Sequence, residues 1–250
     1  VILGLGVSGP QVVEGWYGQP FSKPLARTRE YISIIRQILA RAEPVNNAGP
    51  HYPIPYPADA PGSWGLGKPL KSITHPRRAD VPIFLGAEGP KNVRMATEIC
   101  DGWYPLYYSP WREQVYADSI SGRGPDFEII YPISLHITDD LEAGRMRVKQ
   151  NLALYVGGMG ARDRNFHSEL IGRMGFEVQA KQVQDLFLAG KKAEAAAAVP
   201  DELVDEVALV GPKDRIKQQL AAWEDSAVTG LLVWPRSEQD LNEFAELVLG

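Results

Sequence analysis

The sequence predicts an α/β protein built on a parallel sheet, and three observations carry that reading. Short apolar runs alternate with helical periodicities along the 250 residues, the rhythm of βαβ units. The runs are continuously apolar rather than alternating, as strands in a helix-covered sheet are. A hydrophobic share of 44% with 23% charged residues is that of a globular chain long enough to bury a sizeable core as one large or two small domains.

The elements follow in order. Val1 to Val7 reads as the first strand, and Ser8-Gly9-Pro10 leads to a helix beginning near Pro24, with Leu25, Thr28, Ile32, Ile35 and Leu39 on one face. Val81 to Ala87 is the second strand. Glu88-Gly89 turns it into a helix near Pro90 that closes at Cys100-Asp101-Gly102 with glycine at the C-cap. Gly102 to Tyr108 is the third strand, followed by Ser109-Pro110-Trp111 and a short helix. Phe127 to Thr138 is the fourth, with Asp139-Asp140 capping a helix that runs to about Val156. A helical excursion over 157–210 contains the alanine-rich Lys191 to Val199. Gly211-Pro212 starts a helix with Ile216, Leu220 and Trp223 on one face, Thr229 to Trp234 is the fifth strand, and Glu238 to Leu249 the final helix.

Five strands suit an open doubly wound sheet, yet no Gly-x-Gly-x-x-Gly stands at a strand-to-helix turn. The match Gly4-Gly6-Gly9 starts inside a strand with no helix directly after it, so a dinucleotide fingerprint is not expected. A (β/α)₈ barrel needs three strands more, and a chain that opens inside a strand makes a missing N-terminal stretch their expected place.

Charge and cysteine usage exclude several classes. A net charge of −5 argues against non-specific nucleic-acid binding, which needs a basic face. No run approaches the ~18 apolar residues of a membrane span. The single cysteine, Cys100, forbids an internal disulfide and suits a reducing cytoplasm.

The most informative segment is Gly86-Ala87-Glu88-Gly89-Pro90-Lys91, where a strand ends in small residues and turns at once into a helix. Small residues let a ligand approach the backbone, and the free N–H groups of a first helical turn favour an anion such as phosphate. An ordinary tight turn is the alternative. Gly6-Val7-Ser8-Gly9, at the end of the first strand, is a second candidate that could press backbone against a flat ring. The segment 43–80, rich in proline and aromatic rings and without periodicity, reads as an ordered flap over a ligand. Lys68, Lys71, Arg77 and Arg78 make its end positive. His51, His75, His136 and His167 show no metal-ligand spacing, and no metal site is expected. Cys100 beside Asp101 makes a poor nucleophile.

Ile2-Leu3-Gly4-Leu5-Gly6-Val7-Ser8-Gly9-Pro10-Gln11, Trp16-Tyr17-Gly18, Lys23 to Tyr31, and Val81 through Trp103 together resemble the luciferase-like family, and within it the branch of coenzyme F420-dependent oxidoreductases. Gly67 to Ile73 and Gly211-Pro212 extend the resemblance over nearly the whole chain. It implies a TIM barrel of the bacterial luciferase-like type as one domain, 1–250, lacking the first three βα units. Val1 to Val7 would be the family's fourth strand, and the next four strands its fifth to eighth. It further implies a deazaflavin or flavin at the C-terminal mouth, its phosphate at the turn Gly86, Ala87, Glu88, Gly89, Pro90 and Lys91, and its ring lined by Gly6, Val7, Ser8 and Gly9. No catalytic acid or base carries over, because the family places most of them on its first strands.

The expected function is therefore an oxidoreductase that moves a hydride between coenzyme F420 and a small organic substrate, in a cytoplasmic homodimer with no nucleic-acid or membrane partner. The alternatives are an FMN-dependent luciferase-like monooxygenase and a non-catalytic cofactor-binding protein. The positive flap end suits the acidic polyglutamate tail of F420.

Overall fold

The computed structural model describes residues 1–249 and arranges them around one six-stranded parallel sheet. Strand β1 (Leu3–Gly6) is followed by helices α1 (Pro10–Tyr17) and α2 (Pro24–Ala40), and strand β2 (Ile83–Gly86) by α3 (Pro90–Ile99). Strand β3 (Gly102–Tyr104) leads into a 3₁₀ segment, Pro110–Val115, and α4 (Ala117–Ile120). Strand β4 (Glu128–Ile137) runs into α5 (Leu141–Gly158), α6 (Phe166–Ile171), a π-turn at Gly172–Phe176, α7 (Glu177–Leu188), α8 (Lys192–Ala197) and α9 (Asp201–Val207). Strand β5 (Ala208–Gly211), α10 (Lys213–Glu224), β6 (Gly230–Trp234) and α11 (Glu238–Leu249) complete the order.

The longest strand, β4, organises the sheet. It borders β3 at Glu128 and Ile129, β6 from Ile130 to Ser134, and β5 from Ser134 to Ile137. Ser134 pairs with both Ala208 and Trp234, so β5 and β6 lie on opposite edges at that level. Side chains alternate across a strand, and here the two faces differ sharply. Ile129, Tyr131, Ile133 and Leu135 are at most 2% exposed, whereas Ile130, Pro132, Ser134 and His136 between them are only partly buried. Register carries the division sideways. Leu85 and Trp103 lie level with Ile129 on the covered face, while Gly6, Gly86 and Tyr104 share the open face, as do Leu232 and Trp234. On the covered face Tyr131 stacks on Trp223 of α10 at 4.9 Å between ring centres, and its hydroxyl donates to the Val207 carbonyl.

Every expected strand and helix is present, with strand ends trimmed, and three features differ from the sequence reading. First, a helix does follow Gly9 directly. The α1 sequence contains Val12, Val13 and Gly15, all poor helix formers. The helix is instead set by its ends, Pro10 in the first turn and Gly18 as a left-handed C-cap at φ 59°. Gly4 and Gly6 still lie inside β1 rather than in a turn, so no dinucleotide fingerprint results. Second, Ala208–Gly211 is a strand; its apolar run continues the pattern of α9 without a turn residue between them, which hid it. Third, α3 is closed by Cys100 in extended conformation, and Gly102 already belongs to β3. A Cβ at Gly102 would stand 2.6 Å from the Phe84 ring, so that glycine serves packing.

The 43–80 segment is ordered along α2. The Glu30 carboxylate accepts from the Asn47 side chain at 3.1 Å and from the Tyr52 amide at 2.9 Å, and Arg27 donates to the Tyr52 hydroxyl. Two of the four cations at its end are engaged away from the mouth. Lys71 donates to the Ala42 carbonyl just past the end of α2, and Arg78 pairs with Asp80 immediately before β2, at the amino ends of the strands. The argument from a positive mouth therefore loses these two charges.

Candidate active site

The two turns singled out in the sequence are neighbours. Pairing of Gly6 with Gly86 sets the carboxyl ends of β1 and β2 side by side, so Val7-Ser8-Gly9 and Ala87-Glu88-Gly89 form one continuous rim. Helix α1 starts at the first turn and α3 at the second, each with proline in its first turn, no side-chain cap and no acidic residue there. Their leading N–H groups are left for another acceptor, and their partial positive charge faces the rim. A Cβ built on Gly6 or Gly89 would meet no atom within 4 Å, so the space beside the backbone at both turns is open. Gly89 has φ −72°, which any residue adopts; its value at this position is room, not backbone freedom. Ser8 is the strained member, held at φ 58°.

The second turn is anchored on several sides. The Trp103 indole donates to the Ala87 carbonyl at 2.8 Å, and Arg173 donates to the Glu88 carbonyl at 2.9 Å. The Glu88 side chain points away from the rim into the excursion, where its Oε1 lies 2.7 Å from His167 Nδ1. Of the six residues expected around the phosphate, Glu88 has its side chain engaged elsewhere, while Lys91 stands exposed at the second helical position.

The open face beneath the rim adds residues that sequence reasoning missed. Tyr104 pairs with Gly86 across the sheet, and burial pushes its hydroxyl above the ordinary value, partly offset by the Trp234 side chain. Trp234 is 61% exposed. Strand alternation counted outward from Gly86 was the available signal, but it needs the register of three strands. His136, on the same face of β4, has a depressed pKa caused first by burial and then by the charges of Arg236 and Arg147, and its Nδ1 has no hydrogen-bond partner. Burial, more than Asp101, pushes the Cys100 thiol up to about 11, in line with its exclusion as a nucleophile. Among the described residues no group of three His, Cys, Asp or Glu side chains could hold a metal ion. A groove of about 420 Å³ between α2 and α3 contains Arg29 and Arg36, but Glu98 and Asp101 pair with them, and it lies at the amino ends of the strands, where Asp101 also accepts from the Ile83 amide.

Comparison with known proteins places this geometry. The luciferase-like monooxygenase family profile matches residues 1–230. A Mycobacterium tuberculosis protein that carries the name of a coenzyme F420-dependent oxidoreductase is 52% identical, over 99% of this chain and 73% of that protein. The 5,10-methylenetetrahydromethanopterin reductase of Archaeoglobus fulgidus is 24% identical over 99% of this chain and 71% of its own length. In structure, the coenzyme F420-dependent tetrahydromethanopterin reductase of Methanopyrus kandleri superposes with a TM-score of 0.73 at 20% identity, covering 99% of this chain and 72% of that one. Family profile and close relative show the family: the chain belongs to the luciferase-like monooxygenase family and has its α/β barrel-type fold.

Proposed function

We propose that this protein is a coenzyme F420-dependent oxidoreductase that transfers a hydride between the deazaflavin and a small organic substrate. The observation that carries the reading is the 52% identity, over 99% of the chain, to an oxidoreductase named for that coenzyme. Five of its six strands, β1 to β4 and β6, then form an arc of the eight-stranded barrel, with the open face of β1, β3, β4 and β6 turned to the barrel interior and β5 added beside the far end of β4.

The residues present fit such a cofactor. Gly6, Val7, Ser8 and Gly9 would lie along the ring, and Gly86, Ala87, Glu88, Gly89, Pro90 and Lys91 would hold the phosphate through backbone N–H groups and open space. The deazaflavin itself supplies the hydride chemistry, and the protein's part is to bind, orient and exclude water. A helix terminus contributes only ~0.3–1 kcal/mol toward an anion, whereas micromolar affinity requires about 8 kcal/mol. Apolar contact on the open face, from Ile130, Leu232 and Trp234, is the natural source of the remainder. Tyr104, kept protonated by burial, can donate one hydrogen bond at the floor of the site.

Flavin mononucleotide also carries a phosphate and a flat ring, so titration with each cofactor decides between them. Fluorescence should report tighter binding of F420; tighter binding of flavin mononucleotide with oxygen consumption would establish the monooxygenase instead. A cytoplasmic homodimer completes the reading. Exposed Trp16 and Tyr17 on α1 offer apolar surface, and no helix among the described residues is long and apolar enough to cross a membrane. Sedimentation of the protein at the mass of one chain would refute the dimer.

A further inference from the structure

We infer that the helical excursion between β4 and β5 is part of the cofactor site, with His167 and Arg173 as positioning residues that fix the shape of the turn after β2. The inference rests on the reading of that turn as the phosphate seat and deepens it. Neither residue belongs to the strand ends or their turns, and both come from a segment that a barrel sheet does not need.

A chain of contacts runs from the excursion to the turn. Asn165, 3% exposed, caps α6 by accepting from the His167 and Ser168 amides at 3.0 Å, and its side-chain nitrogen donates to the carbonyls of Tyr155 and Val156 on α5. The start of α6 is thereby locked to the end of α5. The His167 ring is held edge-on by Tyr155 and Tyr107, with ring centres 5.1 and 6.4 Å away, which aims Nδ1 at Glu88. Just past the end of α6, Arg173 in the π-turn donates to the Glu88 carbonyl. Side chain and backbone of one residue in the turn are thus gripped by two residues of the excursion.

The chemistry explains why this grip matters. Glu88 is a mostly buried carboxylate whose second oxygen, Oε2, has no protein partner. Without His167 it loses its remaining hydrogen bond, and a buried carboxylate left wholly unpaired drives the side chain out toward the solvent-facing rim. There a negative charge would stand beside the first amides of α3 and compete with a phosphate for them. His167 therefore keeps the anion seat free of the protein's own anion, and Arg173 holds the carbonyl that precedes Gly89.

The experiment measures F420 affinity by fluorescence titration and amide hydrogen exchange over 87–91 in His167→Ala, His167→Asn and Arg173→Ala. Asparagine can place a side-chain nitrogen close to the Nδ1 position, so His167→Asn should restore what His167→Ala loses. The expected result is about tenfold weaker binding for His167→Ala, the equivalent of one charge-assisted hydrogen bond, faster exchange at the turn, and recovery of both in His167→Asn. Because Arg173 is exposed, Arg173→Ala should fold normally and show faster exchange at the turn even if His167→Ala does not fold. Wild-type affinity and exchange in both alanine variants would overturn the inference. If the wild-type protein binds no F420, the reading of the seat fails separately, and exchange at the turn alone decides whether the excursion positions it.

Discussion

The two faces of the same sheet obey different rules. On the covered face, Ile129, Tyr131, Ile133 and Leu135 are packed under helices and essentially unreachable by solvent. On the open face, one residue away along the same strands, stand glycine, proline, serine and histidine, and beyond them Leu232 and Trp234, largely exposed. The difference teaches that the fold's stability is concentrated on one side of β4, while the other side is free to carry a ligand. Composition alone does not divide them, because apolar residues occur on both.

The largest effect that can break this comparison is a cavity on each face. Leu135→Ala should cost about 2–5 kcal/mol, in the range of large-to-small changes at fully buried sites. Leu232→Ala, on the open face, should cost well under ~1 kcal/mol of stability. Urea denaturation of both variants tests it, and equal losses would erase the distinction between the faces.

The next effect sharpens the comparison from the side of function. Gly89→Val fills the open space beside the second turn without backbone strain, since φ there is −72° and a Cβ meets nothing. Melting temperature should therefore stay near wild type while F420 affinity falls by more than ~30-fold, beyond the ~2 kcal/mol that a helix dipole contributes at most. Lys192→Ala, in α8, should leave binding unchanged. A Gly89→Val protein that folds and binds as wild type would make the turn merely structural.

A smaller effect contrasts helix starts. Asp140 accepts from the Ala143 amide at 3.0 Å and caps α5, whereas α1 and α3 at the rim have no such cap. Asp140→Ala should lower stability by about 1 kcal/mol and leave cofactor affinity untouched, as thermal denaturation and titration would show.

The smallest effect is a pH slope. Burial and the nearby Arg236 and Arg147 hold the folded-state pKa of His136 below its unfolded value. The unfolded chain then binds the extra proton first, so stability is complete above about pH 6.5 and declines as pH falls below it. Replacing His136 with Gln should flatten the unfolding free energy between about pH 6.5 and 5. An unchanged slope would show that His136 titrates equally in both states.

Much of the architecture was legible in the chain itself. Apolar runs located five strands because burial against helices selects continuous apolar segments, and Pro24 and Pro90 marked helix starts because proline loses nothing there. Asp140 was readable as a cap for the same local reason. The glycines of both turns announced close approach to the backbone, since small residues at a strand end have few other uses. Local signals failed where ends or neighbours decided. Helix α1 owes its existence to its two termini, and β5 is a strand only because β4 offers it an edge.

What the sequence by itself determined is thus the order of elements, the strand core and the two turns, all properties of neighbours along the chain. Only the tertiary structure decided which residues meet across it. It set Gly6 beside Gly86, placed Tyr104 and Trp234 on the open face, sent Lys71 and Arg78 to the opposite end of the strands, and brought His167 from 79 residues away to Glu88. The physical reason is that register and helix docking are fixed by many weak contacts summed over the whole sheet, and no single segment contains them.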